Sequence, residues 1–135
     1  MNGGPEVQVL SPAECRQLLA TTRHGRLGLS MGALPAIRSV VFALTPGHLV
    51  FRVAPRSQLR QATRNSVVAF QADHSGEGDG IGWCVLVQGL CEEVTAPGLV
   101  GQLRDLPLPA WSADHTADVF LRLPLERIRG ERVLW

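Results

Sequence analysis

Thr45-Pro46-Gly47 separates two apolar runs, residues 36–44 and 48–53, and this arrangement constrains the fold more than any other feature of the chain. Proline presets the φ of a turn and glycine accepts the positive φ that a reversal needs, so the two runs are expected to pair as an antiparallel hairpin. Other stretches follow the same pattern. Gly25-Arg26-Leu27-Gly28-Leu29-Ser30-Met31 has apolar side chains at every second position, as a half-buried strand does. Residues 67–72 and 83–94 read as further strands on either side of the polar, glycine-rich stretch 73–80, with Gly89 as a candidate bulge. The segment 119–133 holds one or two more, interrupted at Pro124 and Gly130.

Helices are few and short. Ser11 can cap a helix whose first position is Pro12, Glu14 completes a capping box, and Leu10 and Cys15 stand at staple positions. That helix should reach about Thr22 with Leu18 and Leu19 facing inward. A second is expected over 57–65, where Arg56, Arg60 and Arg64 recur every four residues. A third, over 95–106, would start at Thr95 and be ended by Pro107 and Pro109. About six strands with two or three short helices make a mainly β (α+β) chain. Hairpin connections favour a small antiparallel barrel over a doubly wound sheet.

At 135 residues the chain is one domain spanning 1–135, with 1–8 expected to be a flexible tail. Its 45% apolar content excludes bulk disorder. A formal charge of +1 argues against nucleic-acid binding. Arginine supplies all thirteen basic residues, as a GC-rich coding bias would produce. Cys15, Cys84 and Cys91 cannot all pair within one chain and lack metal-ligand spacing, which suits thiols in a reducing cytoplasm. There is no basic, apolar leader and no run of about eighteen apolar residues to span a bilayer, so a cytoplasmic protein without membrane contact is expected.

Taken in order, LSPAECRQLL (10–19), GRLGLS (25–30), the strand after Leu34-Pro35, VFRVAPRSQL (50–59), VVAFQAD (67–73), GWCVLVQG (82–89) and IRGER (128–132) cover nearly the whole chain. The series resembles the pyridoxamine 5′-phosphate oxidase-like family of FMN-binding split β-barrels, in particular its short actinobacterial-type branch. The resemblance implies a six-stranded antiparallel split β-barrel with short flanking helices. It also implies a homodimer that binds FMN at the subunit interface and acts as an oxidoreductase on a small-molecule substrate. The strand carrying Arg38, Ser39 and Val40 would run beside the flavin ring. The segment Phe51, Arg52, Val53, Arg56, Ser57 and Gln58 would meet the phosphate, and Trp83 and Arg132 would come from the partner. Two positions depart from the family's usual pattern: Val53 stands where threonine is common and Gln58 where lysine is common. Within the same fold, a deazaflavin coenzyme or haem are the alternative ligands, and a non-catalytic binding module is the alternative role.

From the residues alone each site has two readings. Ser57 is an N-cap, and the same helix start suits an anion. Arg52 and Arg56 are phosphate ligands or a solvated loop pair. Arg60 and Arg64 form a solvent face or meet a partner. Arg38, inside an apolar run, needs an anionic partner or an exposed face. Trp83 covers the cofactor or packs in the core or a dimer interface. Of Arg129 and Arg132 only the second fits the family pattern, since Glu131 holds the place of the first. His24, His48, His74 and His115 lack metal spacing, so no metal is expected. Asp114 and His115 are adjacent in a loop and point apart. With no nucleophile–base arrangement, no catalytic side chain is assigned, as befits chemistry carried by a cofactor.

Overall fold

The computed structural model describes residues 4–135, except the side chain of His115. Elements run β1 (Glu6–Leu10), α1 (Pro12–Leu19), β2 (His24–Met31), β3 (Leu34–Val41), β4 (Ala43–Thr45), β5 (His48–Val53), α2 (Gln58–Thr63), β6 (Ser66–His74), β7 (Ile81–Glu93), α3 (Pro97–Leu103), a 3₁₀ turn at His115–Ala117, β8 (Val119–Pro124) and β9 (Arg127–Leu134). All paired strands are antiparallel, in the order β3-β2-β6-β7-β8-β5-β4, with β9 beside β7 and β1 beside β9. This is the mainly β, curled antiparallel barrel that the sequence predicts, cut into nine strands where about six were expected.

The extra strands arise where the chain changes sheet. The expected strand 36–44 is interrupted at Phe42: β3 pairs with β2, whereas only Ala43, Leu44 and Thr45 form the hairpin with β5. Phe42 donates its N–H to the Arg23 carbonyl at 3.0 Å and sets its ring edge-on to Phe70, so a core aromatic turns the chain from one half of the barrel into the other. Strand β7 joins the two halves from the opposite side. It pairs with β9 from Ile81 to Gln88 and with β8 at Glu92 and Glu93, keeping β6 along its other edge. Gly89 lies at this change of partner, and the β6–β7 register runs through it unbroken, so there is no bulge there. The expected tail 1–8 also needs correction, because residues 6–8 belong to β1, paired with β9.

Local capping matches its chemistry. The Ser11 side chain accepts from Glu14 N–H while the Glu14 carboxylate accepts from Ser11 N–H, closing the capping box. Helix α1 ends at Leu19, short of Thr22. Helix α3 starts after Ala96 with no side-chain cap, so Thr95 does not serve as one. Gly130 is required by close approach: a Cβ there would lie 2.7 Å from the Cys84 carbonyl and 2.9 Å from Cys15 Sγ. The main core is built from Leu27, Phe51, Phe70, Val85, Val87 and Leu121, with α1 covering it through Cys15 and Leu19. A smaller core lies between α3 and the other face of β5 and β8, around Val50, Leu103 and Phe120. No helix among the described residues is long and apolar enough to cross a membrane.

Candidate functional site

A cleft of 310 Å³ opens where β3 passes the end of β5 and the start of α2. It is lined by Arg38, Ser39 and Val40 from β3, by Phe51, Arg52 and Val53 from β5, and by Ser57. Seven of the sequence-predicted residues therefore meet at one place. Phe51 and Val53 are buried and give an apolar floor, while Arg38 and Ser39 are exposed at the rim.

The two cleft arginines differ in what holds them. Arg38 Nη2 donates to Gln58 Oε1 at 3.2 Å and lies 3.8 Å from Met31 Sδ. Gln58, outside the cleft lining, is thus a neutral tether for a rim guanidinium that no carboxylate among the described residues pairs with. Arg52 is only 8% exposed, and its Nε donates to Asp118 Oδ2 at 2.9 Å. Its guanidinium also sits 5.3 Å from the centre of the Phe120 ring. Arg52 belongs to a buried ion pair and to neither half of a solvated loop pair. Its Asp118 partner, 4% exposed, also accepts the Trp111 N–H at 2.8 Å. Burial pushes the Asp118 carboxyl up, but the Ser112 hydroxyl, the Trp111 N–H and the Arg52 guanidinium outweigh it and hold the group below the usual range.

Ser57 is the N-cap of α2, its hydroxyl accepting from Arg60 N–H at 3.2 Å. The helix has only six residues, so ordering of an anion rests on side chains more than on a helix dipole. Arg56 is exposed and makes no ion pair among the described residues. Arg60 faces inward, with Nε 2.7 Å and Nη2 3.1 Å from the two Glu93 oxygens and Nη1 2.7 Å from the Pro55 carbonyl. It ties α2 to β7 and is not a solvent-face residue; Arg64 is exposed.

Trp83 and Arg132 do not reach this cleft. They are register partners across β7 and β9, with Trp83 packed on the main core and Arg132 Nη1 3.7 Å from Glu14 Oε2. No cysteine lines the cleft, and burial pushes the Cys91 thiol up to about 12. The Asp114–His115 pairing involves a side chain outside the described residues.

Two residues of the site were not foreseen. Trp111 lines the cleft from the 104–114 connection and remains 60% exposed. The scarcity of aromatics in the chain was the one signal available for it. Asp118 stands 66 positions from Arg52, and no spacing rule links an acid to a base over that distance.

The sequence matches the pyridoxamine 5′-phosphate oxidase family over residues 11–132. An uncharacterised protein of Mycobacterium tuberculosis is 33% identical over 134 residues, which cover 96% of this chain and 87% of that protein. Among solved structures, an FAD-binding protein from Mycobacterium smegmatis superposes with a TM-score of 0.80 at 25% identity, over 94% of this chain and 98% of that one. An FAD-binding protein from Mesorhizobium loti gives 0.71 at 26% identity, over 96% and 98%.

Proposed function

This chain belongs to the pyridoxamine 5′-phosphate oxidase family, and on that premise we propose that it binds a flavin nucleotide, FMN in the first instance, in the cleft between β3 and β5. The observation that carries this reading is the cleft's division into a buried apolar floor and a rim holding the Arg38 guanidinium. A flat heteroaromatic ring suits the floor, and a phosphate suits the rim. Two similar solved structures are FAD-binding proteins, and the ring with its first phosphate is common to both nucleotides.

Arg38 supplies the cation that lysine commonly supplies at the position of Gln58. Gln58 holds that guanidinium by its amide oxygen, so the charge is moved within the site and not lost. Arg56, exposed at the same turn but outside the cleft lining, is a second cation nearby in the chain. Val53 keeps the floor apolar where a hydroxyl is commonly found. A bound flavin supplies hydride and electron transfer, which makes the protein an oxidoreductase for a small substrate. The chain's own residues bind, orient and shield the ring.

The functional unit is a homodimer. In the sheet β3-β2-β6-β7-β9-β1, register places Ile37, Val67 and Val9 on one face, at 74%, 76% and 84% exposure. The opposite face of the same strands buries Leu27, Phe70 and Val85 completely. Exposed apolar side chains set among the Arg26–Asp73 pair and other polar residues of this face suit a second copy of the chain. Trp83 and Arg132 lie on the opposite face of this sheet, with Val85, so this contact does not bring them to a partner's cleft.

Titration of the purified protein with FMN and with FAD, read by visible absorbance and flavin emission, tests the reading. Saturable binding with quenched emission is expected. A protein that leaves both flavins unperturbed would contradict it.

A further inference from the structure

We infer that Trp111 is the wall on which the flavin ring stacks, set in place by the buried Arg52–Asp118 pair. The inference rests on the flavin reading above and extends it to a residue outside the segments that suggested flavin. Trp111 borders the cleft yet is 60% exposed, so its indole contributes little to the core. Its main chain is nonetheless fixed. The Trp111 N–H donates to Asp118 Oδ2 at 2.8 Å, and the same oxygen accepts from Arg52 Nε at 2.9 Å. Both charged side chains are almost wholly buried, at 6% and 0% exposure. The Arg52 guanidinium is further held 5.3 Å from the Phe120 ring centre.

A buried ion pair adds little net stability compared with an apolar replacement, but it fixes geometry. Here the geometry it fixes is the position of an exposed aromatic at the edge of a ligand-sized cleft. An electron-rich indole carried on a main chain fixed in advance offers stacking area to an electron-poor planar ring without the cost of ordering a loop on binding. Arg38 lies across the same cleft on β3, leaving the phosphate to that side. The division of labour is an aromatic wall from the 104–114 connection and a guanidinium on the β3 side.

The test is flavin binding by Trp111→Ala and Trp111→Phe, with unfolding midpoint and oligomeric state measured alongside. Stacking lost on truncation to alanine weakens binding roughly 5- to 150-fold, and phenylalanine should restore most of it. Because the indole is exposed, neither change should shift the unfolding midpoint. In a Trp83→Phe/Trp135→Phe double variant, the remaining indole emission should be quenched on saturation with FMN. Wild-type flavin affinity in Trp111→Ala would overturn the inference and leave the flavin reading intact. A Trp111→Ala protein that loses flavin only by dissociating into monomers would also overturn it, assigning Trp111 to the subunit contact. Failure of the wild type to bind either flavin would remove the reading and the inference together.

Discussion

Arg38 and Arg52 line the same cleft, on neighbouring segments, and have opposite surroundings. Arg52 is buried against Phe120 with its charge matched by Asp118. Arg38 is exposed and held by the neutral Gln58, with no ion pair among the described residues. The same side chain is structural in one place and available to a ligand in the other. What decides is whether the chain supplies the counter-charge. A guanidinium already neutralised in a buried pair has little left for a phosphate, because separating the pair leaves an uncompensated charge in the interior.

The contrast predicts opposite mutational behaviour. The largest effect is expected at the buried pair. Asp118→Asn keeps the shape and removes the charge, so Arg52 is left buried and unmatched, at a cost of about 3 kcal/mol in denaturant unfolding. The pH profile sharpens this. The folded Asp118 carboxyl lies below its ordinary value of 3.8, so its contribution is complete above that pH and is lost as pH falls through the folded value. As pH falls below 3.8, unfolding stability of the wild type should therefore fall more steeply than that of Asp118→Asn.

Next in size is Arg38→Ala. Loss of a charged hydrogen bond, roughly 1.5–3 kcal/mol, should weaken flavin binding roughly 10- to 150-fold in equilibrium titrations, while the unfolding midpoint stays in place. Smaller again is Gln58→Ala, which frees Arg38 but leaves its charge. A net hydrogen bond of about 0.5–1.5 kcal/mol corresponds to roughly 2- to 12-fold in flavin affinity. If Gln58→Ala weakened binding as much as Arg38→Ala, the amide itself would be the ligand contact and the comparison would fail.

The thiols sharpen the picture at no cost in affinity. Burial raises both Cys15 and Cys91, the latter to about 12. In native protein at pH 8, thiol reagents should spare both and modify them only after unfolding, while half-buried Cys84 is the one within reach.

Much of the fold was legible because its signals are local. The capping box at Ser11 and Glu14, the turn at Pro46-Gly47 and the N-cap at Ser57 each depend on neighbours within three or four residues. What the sequence hid was non-local. The break at Phe42 looks like continuous strand, because its cause is the packing of one ring on Phe70, 28 positions away. The tail that proves to be β1 has no turn to announce it, since its partner is the last strand of the chain. Within the site, Ser57 and the β5 residues were readable as a run of chemistry around one turn, while the β3 residues came through the family resemblance. Arg52 had the right position and a different environment. Its partner Asp118 and the Trp111 that the pair positions come from a connection whose place beside β5 is set by the barrel's closure.

The central claim, that Arg38 serves the ligand and Arg52 serves the fold, is tested most directly by measuring FMN affinity and unfolding stability on the same preparations of Arg38→Ala and Arg52→Ala. The account predicts that Arg38→Ala loses FMN affinity at wild-type stability, whereas Arg52→Ala is destabilised by about 3 kcal/mol. Equal FMN affinity in Arg38→Ala and the wild type would contradict it.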